Sequence, residues 1–248
     1  MSEKLKKLSI RVNKEDHQKL KLVRDMENQT TISKIETLIE NYTYNQNRYK
    51  KNEIQKQMIN IKLPSIVPKE LKKQLSQSNY CKNSKTISKV GRGLIDKYLL
   101  DDPVIVDFKD LQKKIMKFYR KNRYIRIDFN AKNNKDKKES IKRDASINFK
   151  LFNFKKDRLD KKVSRIPINL SLNRILEMLF YGYTFEEKIT LEEKYFKRVC
   201  LTARINENLY QDFKEDRLVN GKLISIQQAG EALIKQELIK HNELKKIF

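Results

Sequence analysis

Apolar residues occupy every second place in four short stretches: Lys7-Leu8-Ser9-Ile10-Arg11-Val12, Met58-Ile59-Asn60-Ile61-Lys62-Leu63, Ser146-Ile147-Asn148-Phe149-Lys150-Leu151 and Cys200-Leu201-Thr202-Ala203-Arg204-Ile205. Successive side chains of a strand point to opposite faces, so each stretch predicts a ribbon with one core face and one outward face. The outward face carries a small hydrogen-bonding residue followed by a cation: Ser9 and Arg11, Asn60 and Lys62, Asn148 and Lys150, Thr202 and Arg204.

Helical spacing follows each ribbon. After the first, Asn13 is placed to cap a helix over Lys14–Glu27 lined by Leu20, Val23 and Met26. Asn28-Gln29-Thr30 breaks it, and Thr30 or Thr31 opens a second helix through Ile32, Ile35, Leu38, Ile39 and Tyr42. The second copy predicts helices over Pro68–Ser76 and from Ser84 to about Leu99. The third predicts a short helix over Lys155–Ser164, then one capped by Asn169 or Ser171. The fourth predicts Glu207–Leu218, a turn at Asn220-Gly221, and a helix from Ser225 through Ala229, Leu233, Ile234 and Leu238. Four strand–helix–helix units repeated in this way define the architecture before any single residue does.

Strand starts are unevenly spaced, 51 residues from Leu8 to Ile59, 88 from Ile59 to Ile147 and 54 from Ile147 to Leu201. The spacing predicts a first pair of units over 1–100, a connecting insert over 101–144 and a second pair over 145–248. The insert predicts a helix over Asp107–Arg120, an extra strand over Arg123–Asn130 and an exposed polar loop over Lys132–Lys138. The expected fold class is therefore mainly α with short β-ribbons.

Charge sharpens this picture. Lys and Arg number 56 against 32 Asp and Glu, a net charge of +24, and charged residues make up 35% of the chain against 38% hydrophobic. The pI is near 9.8 and the mean hydropathy −0.77. Such a balance favours a polyanionic partner and suits small helical units with thin cores. The sequence has no apolar run long enough to span a membrane and no apolar segment of the signal-peptide kind near its start. Cys81 and Cys200 lie far apart without a metal-ligand pattern and read as reduced cytosolic thiols.

An alternating ribbon followed by two helices resembles the ribbon-helix-helix DNA-binding family of the MetJ/Arc type. All four hexads carry the resemblance, most strongly Lys7–Tyr42, whose Ile39-Glu40-Asn41-Tyr42 is similar to that family's second-helix ending. The resemblance implies that two units intertwine and that their antiparallel strands enter the DNA major groove. Physics asks for pairing independently, because one unit of about 45 residues leaves its strand edges open and its core incomplete. Adjacent units are the expected partners, first with second and third with fourth, giving two fused pseudo-dimers. Residue types then run A-B-B-A along the chain, so each ribbon would combine one A and one B strand into an asymmetric subsite.

On this reading the base-reading residues are Lys7, Ser9, Arg11, Asn60, Lys62, Ser146, Asn148, Lys150, Thr202 and Arg204. Arg or Lys donates to guanine, Asn reads adenine, and Ser or Thr serves either. Helix starts at Thr30, Thr31, Ser33, Ser84, Lys85, Asn169, Ser171 and Ser225 are the expected phosphate contacts, each also explicable as a plain cap. The expected partner is double-stranded DNA, with room for self-association on it. No cofactor, metal or membrane is expected, and the location is cytoplasmic, on the bacterial nucleoid when DNA is bound. The expected role is a transcriptional repressor, with plasmid or phage maintenance as the runner-up. An enzyme is disfavoured: the histidines are His17 and His241 alone, and no nucleophile–base, metal or Gly-rich phosphate motif occurs. RNA binding through Phe118, Tyr119 and Tyr124, which lie among cations, is the remaining alternative, though their spacing also fits a core.

Overall fold

The computed structural model describes residues 4–44, 51–77, 86–100, 108–129, 137–166, 170–186, 191, 197–219 and 222–244. The protein is mainly helical with small antiparallel two-stranded sheets. In chain order the elements are β1 (Leu5–Asn13), α1 (Lys14–Met26), α2 (Thr31–Thr43), β2 (Lys56–Leu63), α3 (Ile66–Gln77), α4 (Ile87–Leu100), α5 (Phe108–Lys121), β3 (Ile125–Phe129) and β4 (Lys137–Ile141). They continue with β5 (Ala145–Phe152), α6 (Asn153–Ser164), α7 (Leu172–Phe185), β6 (Arg198–Asn206), α8 (Glu207–Glu215), β7 (Leu218–Val219), β8 (Lys222–Leu223) and α9 (Ile226–Leu244).

All four alternating hexads are strands, each followed by two helices. Their pairing, however, is nested and not adjacent. The first strand pairs with the fourth, β1 with β6, and the second with the third, β2 with β5, both antiparallel. The expected pairs over 1–100 and 145–248 are corrected accordingly. Units one and four share one core through Leu8, Ile10, Val12, Leu201, Ala203 and Ile205. Units two and three share another through Ile59, Ile61, Leu63, Ile147, Phe149 and Leu151. We call these the outer and inner modules. The segment after α4 adds α5 and the β3–β4 hairpin to the inner module, with Leu111, Ile115 and Tyr119 fully buried there. The expected strand over Arg123–Asn130 is thus β3. Lys137 and Lys138, expected in an exposed loop, begin β4 because they pair with Phe129 and Asp128.

Complementary side-chain sizes explain why the nested pairs fit. Gly230 of α9 lies over Ile10 of β1, and a β-carbon built there would sit 2.5 Å from the Ile10 side chain. Gly91 of α4 lies over Phe149 of β5 in the same way, at 2.9 Å. Both glycines stand five residues past the hydroxyl that caps their helix, Ser225 and Thr86. In each module, one helix therefore carries a gap that a bulky residue of the partner unit's strand fills.

The two modules meet at a buried ion network with one residue from each unit: Asp16 of α1, Asp96 of α4, Lys155 of α6 and Lys235 of α9. Lys235 Nζ lies 2.7 Å from Asp16 and 3.0 Å from Asp96, and Lys155 bonds the other oxygen of Asp96. Two ammoniums and two carboxylates balance, as removal from water requires. Apolar contacts continue the junction. Leu100, Phe152 and Phe154 come from units two and three but belong to the outer core, with the two phenylalanine rings stacked 5.4 Å apart.

Candidate nucleic-acid interface

Each two-stranded ribbon turns its apolar residues to a core and its polar residues to solvent. All ten expected base-reading side chains (Lys7, Ser9, Arg11, Asn60, Lys62, Ser146, Asn148, Lys150, Thr202 and Arg204) are exposed, together with Met58 and Cys200. The register brings them together in a way the adjacent scheme did not foresee. In the outer ribbon Ser9 stands opposite Thr202 at the centre, flanked by Arg11 opposite Cys200 and Lys7 opposite Arg204. In the inner ribbon Asn60 stands opposite Asn148, flanked by Lys62 opposite Ser146 and Met58 opposite Lys150.

Nested pairing therefore joins like with like. Each ribbon has a local pseudo-dyad through its central pair, with hydroxyls in one and carboxamides in the other. Two residues further along each strand stands a cation, so Arg11 and Arg204 mark opposite ends of the outer ribbon, and Lys62 and Lys150 opposite ends of the inner. The mixed, asymmetric ribbons expected from adjacent pairing are replaced by two pseudo-symmetric ribbons of different chemistry. No carboxylate occurs at these outward positions, and Lys7 directly opposes Arg204. Like charges facing across a sheet are destabilising by themselves, which an approaching polyanion would offset.

The helix starts are built alike. Four hydroxyls each accept the backbone N–H three residues on: Thr30 from Ser33 at 3.1 Å, Thr86 from Lys89 at 3.3 Å, Ser171 from Arg174 at 3.3 Å and Ser225 from Gln228 at 3.1 Å. These satisfy free N–H groups of α2, α4, α7 and α9. Of the expected phosphate contacts, Thr30, Ser171 and Ser225 are exposed caps. Ser33 is half-buried, and the Thr31 hydroxyl accepts from Arg24. Ser84, Lys85 and Asn169 lie outside the described residues, and Thr86 is the residue that caps α4. Asn13, expected to cap α1, makes no cap hydrogen bond with its side chain.

Sequence reasoning missed two residues that hold the ribbons. Gln227 of α9 accepts the Arg11 N–H at 2.6 Å and donates to the Arg11 carbonyl at 2.8 Å. Asn173 of α7 does the same for Lys62, accepting at 2.9 Å and donating at 3.0 Å. Each carboxamide stands two residues past its cap and closes the open edge of the partner unit's strand at an outward cation. Ser88, two past Thr86, donates to the Asn148 carbonyl at 3.0 Å. A hydroxyl followed two places later by a polar residue was the available signal. In α2 that place holds Ile32, which is exposed.

Other candidate sites are accounted for by packing. Glu27, Glu237 and His241 gather as metal ligands could. Lys34 already lies among them, its Nζ 2.6 Å from Glu27 and 2.8 Å from Glu237, so an ammonium supplies the positive charge. Tyr119 is fully buried and Phe118 packs against Tyr181 and Phe185, while the Tyr124 hydroxyl is hydrogen-bonded with Ser65. Tyr119 is thus core, and Phe118 and Tyr124 are half-buried against it. Among the described residues no helix is long and apolar enough to cross a membrane. Comparison of the chain with models of known families, with characterised proteins and with solved structures returned no match.

Proposed function

We propose that this chain is a sequence-specific double-stranded DNA-binding protein of the ribbon-helix-helix type, folded as two intramolecular pseudo-dimers. The observation that carries the reading is the pair of exposed antiparallel ribbons, each with small donors at its centre and flanked by outward cations, Arg11 and Arg204 or Lys62 and Lys150, that pair with no carboxylate among the described residues. A two-stranded ribbon fits the major groove, where Arg or Lys donates to guanine and Asn pairs with adenine. The outer ribbon, Ser9 and Thr202 between Arg11 and Arg204, suits guanine-containing steps. The inner ribbon, Asn60 and Asn148 between Lys62 and Lys150, suits adenine at its centre. Capped helix starts at Thr30, Ser171 and Ser225 would fix the register on phosphates. The protein binds without catalysis, in the cytoplasm, and a repressor is the commonest role of the family it resembles.

Selection of bound sequences from a random duplex pool tests this. The expected product is two different subsites, each roughly palindromic, about 34–36 Å apart where both ribbons meet one face of the duplex. Arg11→Ala and Arg204→Ala should each relax preference at one base position by about 1–3 kcal/mol. Equal affinity for duplex DNA, single strands and RNA would sink the reading.

A further inference from the structure

Beside the buried ion network, the two modules leave a cavity of about 230 Å³. It lies where one end of each ribbon approaches the other. Asn13 and Arg198 come from the outer ribbon, and Lys56, Lys150 and Phe152 from the inner. Seven cationic and two acidic side chains line it. Both acids are already committed. Asp96 holds Lys155 and Lys235, and Glu231 holds Arg198 at 3.1 and 3.2 Å with Lys56 at 3.6 Å. Lys89 and Arg92 of α4 and Lys150 of β5 face the same space, and among the described residues no carboxylate pairs with them. Burial pushes the Lys56 ammonium below its ordinary pKa, Glu231 opposes that shift, and Arg92, Lys235 and Arg198 add to it. The cavity is thus positively charged beyond what its own acids offset, and partly shielded from solvent screening.

We infer that this cavity binds a phosphate group, held by Arg92 and Lys89 of α4. A guanidinium and an ammonium present many N–H donors and two positive charges, which suit a dianion better than a single carboxylate. Two sources share this chemistry. One is a backbone phosphate of the duplex between the two ribbon subsites, which rests on the DNA reading above. The other is a small phosphate-bearing molecule, which does not. The position between ribbon ends makes the site a lever on their relative placement in either case.

Two measurements on the full chain decide the matter. The first is thermal unfolding in inorganic phosphate against chloride at equal ionic strength, for the wild type, Arg92→Gln and Lys89→Gln. Phosphate should raise the wild-type midpoint by roughly 2–4 °C more than that of either variant, any general salting effect being common to all three. The second is the salt dependence of affinity for random-sequence duplex. Arg92→Gln should reduce the slope by about 1 where a backbone phosphate occupies the site. Phosphate protection with an unchanged slope assigns the cavity to a free phosphate compound. A reduced slope assigns it to DNA. Equal midpoints and equal slopes in wild type and both variants overturn the inference. Failure of the wild type to bind any duplex would sink the DNA reading alone, leaving the unfolding series to decide the cavity.

Discussion

Lys235 and Asp96 stand at matching places, each ten residues past the hydroxyl that caps its helix, and bond each other across the module junction at 3.0 Å. Asp16 and Lys155 match in the same way as the third residues of α1 and α6. The charges are inverted between the equivalent places: Lys235 and Asp16 in the outer module, Asp96 and Lys155 in the inner. Two outer modules joined through this surface would set Lys235 against its own copy, and two inner modules would set Asp96 against Asp96. An isologous contact brings such near-axis residues together, so the inversion selects outer-with-inner pairing within one chain.

Asp96→Asn should therefore be among the most destabilising conservative changes in the protein. It leaves Lys155 and Lys235 buried with Asp16, and Glu231 beside Lys235, to offset them, a loss of about 3–5 kcal/mol. Urea unfolding of the two proteins checks this. An unchanged midpoint would show that the network contributes nothing to stability.

The same network fixes a pH response. Burial alone would raise the Asp96 carboxyl, but Lys155 and Lys235 overcome that and hold it well below the usual carboxylate range. Its contribution is then complete above the ordinary 3.8 and lost as pH falls below it, because the unfolded chain takes up the proton first. Lys155 behaves oppositely: burial lowers its ammonium from 10.5 to about 8. Between those values the unfolded chain holds a proton that the folded one has released, so this term makes stability rise with pH. Heat-unfolding midpoints should show the wild type losing its advantage over Asp96→Asn as pH drops from 5 to 3. Between pH 8 and 10 the wild type should gain on Lys155→Met. Parallel curves across both windows would refute the assignment.

The strands and second helices were legible because alternation and 3.6-residue spacing are local. Ile35, Leu38, Ile39 and Tyr42 are buried as their spacing requires, and so are Ala229, Leu233, Ile234 and Leu238. The outward placement of Ser9, Arg11, Asn60, Lys62, Asn148, Lys150, Thr202 and Arg204 was legible for the same reason. Which strand pairs with which was not, since it depends on fits such as Ile10 over Gly230 that lie far apart in sequence. The A-B-B-A order of residue types did contain the answer. Read as pseudo-symmetry, Ser9 with Thr202 and Asn60 with Asn148 name the partners directly. The carboxamides of Gln227 and Asn173 were passed over because a polar residue early in a helix reads as solvent-facing unless the neighbouring strand edge is known.

Gly230→Ala tests the steric side of the pairing. The added methyl would meet Ile10 at 2.5 Å, closer than a side chain tolerates, in a place already filled. Overpacking of this kind costs about 1–3 kcal/mol even though Ala is the better helix former. Denaturant unfolding of Gly230→Ala and of Gly230→Ala with Ile10→Val should show a partial rescue in the double variant. Full stability of the single variant would mean that α9 shifts freely on β1.

Gln227→Ala separates holding the strand under Arg11 from removing its charge. The Arg11 carbonyl keeps the Arg198 guanidinium as a donor and water replaces the Gln227 oxygen at the Arg11 N–H, so stability should fall by only about 0.5–1.5 kcal/mol. The guanidinium that Arg11 presents is untouched, yet the strand beneath it loses both of its bonds to α9. Under the proposed function, affinity for the selected duplex should fall while affinity for random duplex and its salt slope stay constant, since those depend on charge alone. Asn173→Ala should do the same at the subsite read by Lys62. Gln227→Glu provides the control: it still accepts from the Arg11 N–H but cannot donate to the carbonyl when ionised, so its discrimination should lie between wild type and Gln227→Ala. Competition binding with the selected and random duplexes measures all four proteins. If the two Ala variants discriminate as well as the wild type, the edge clamps serve stability alone.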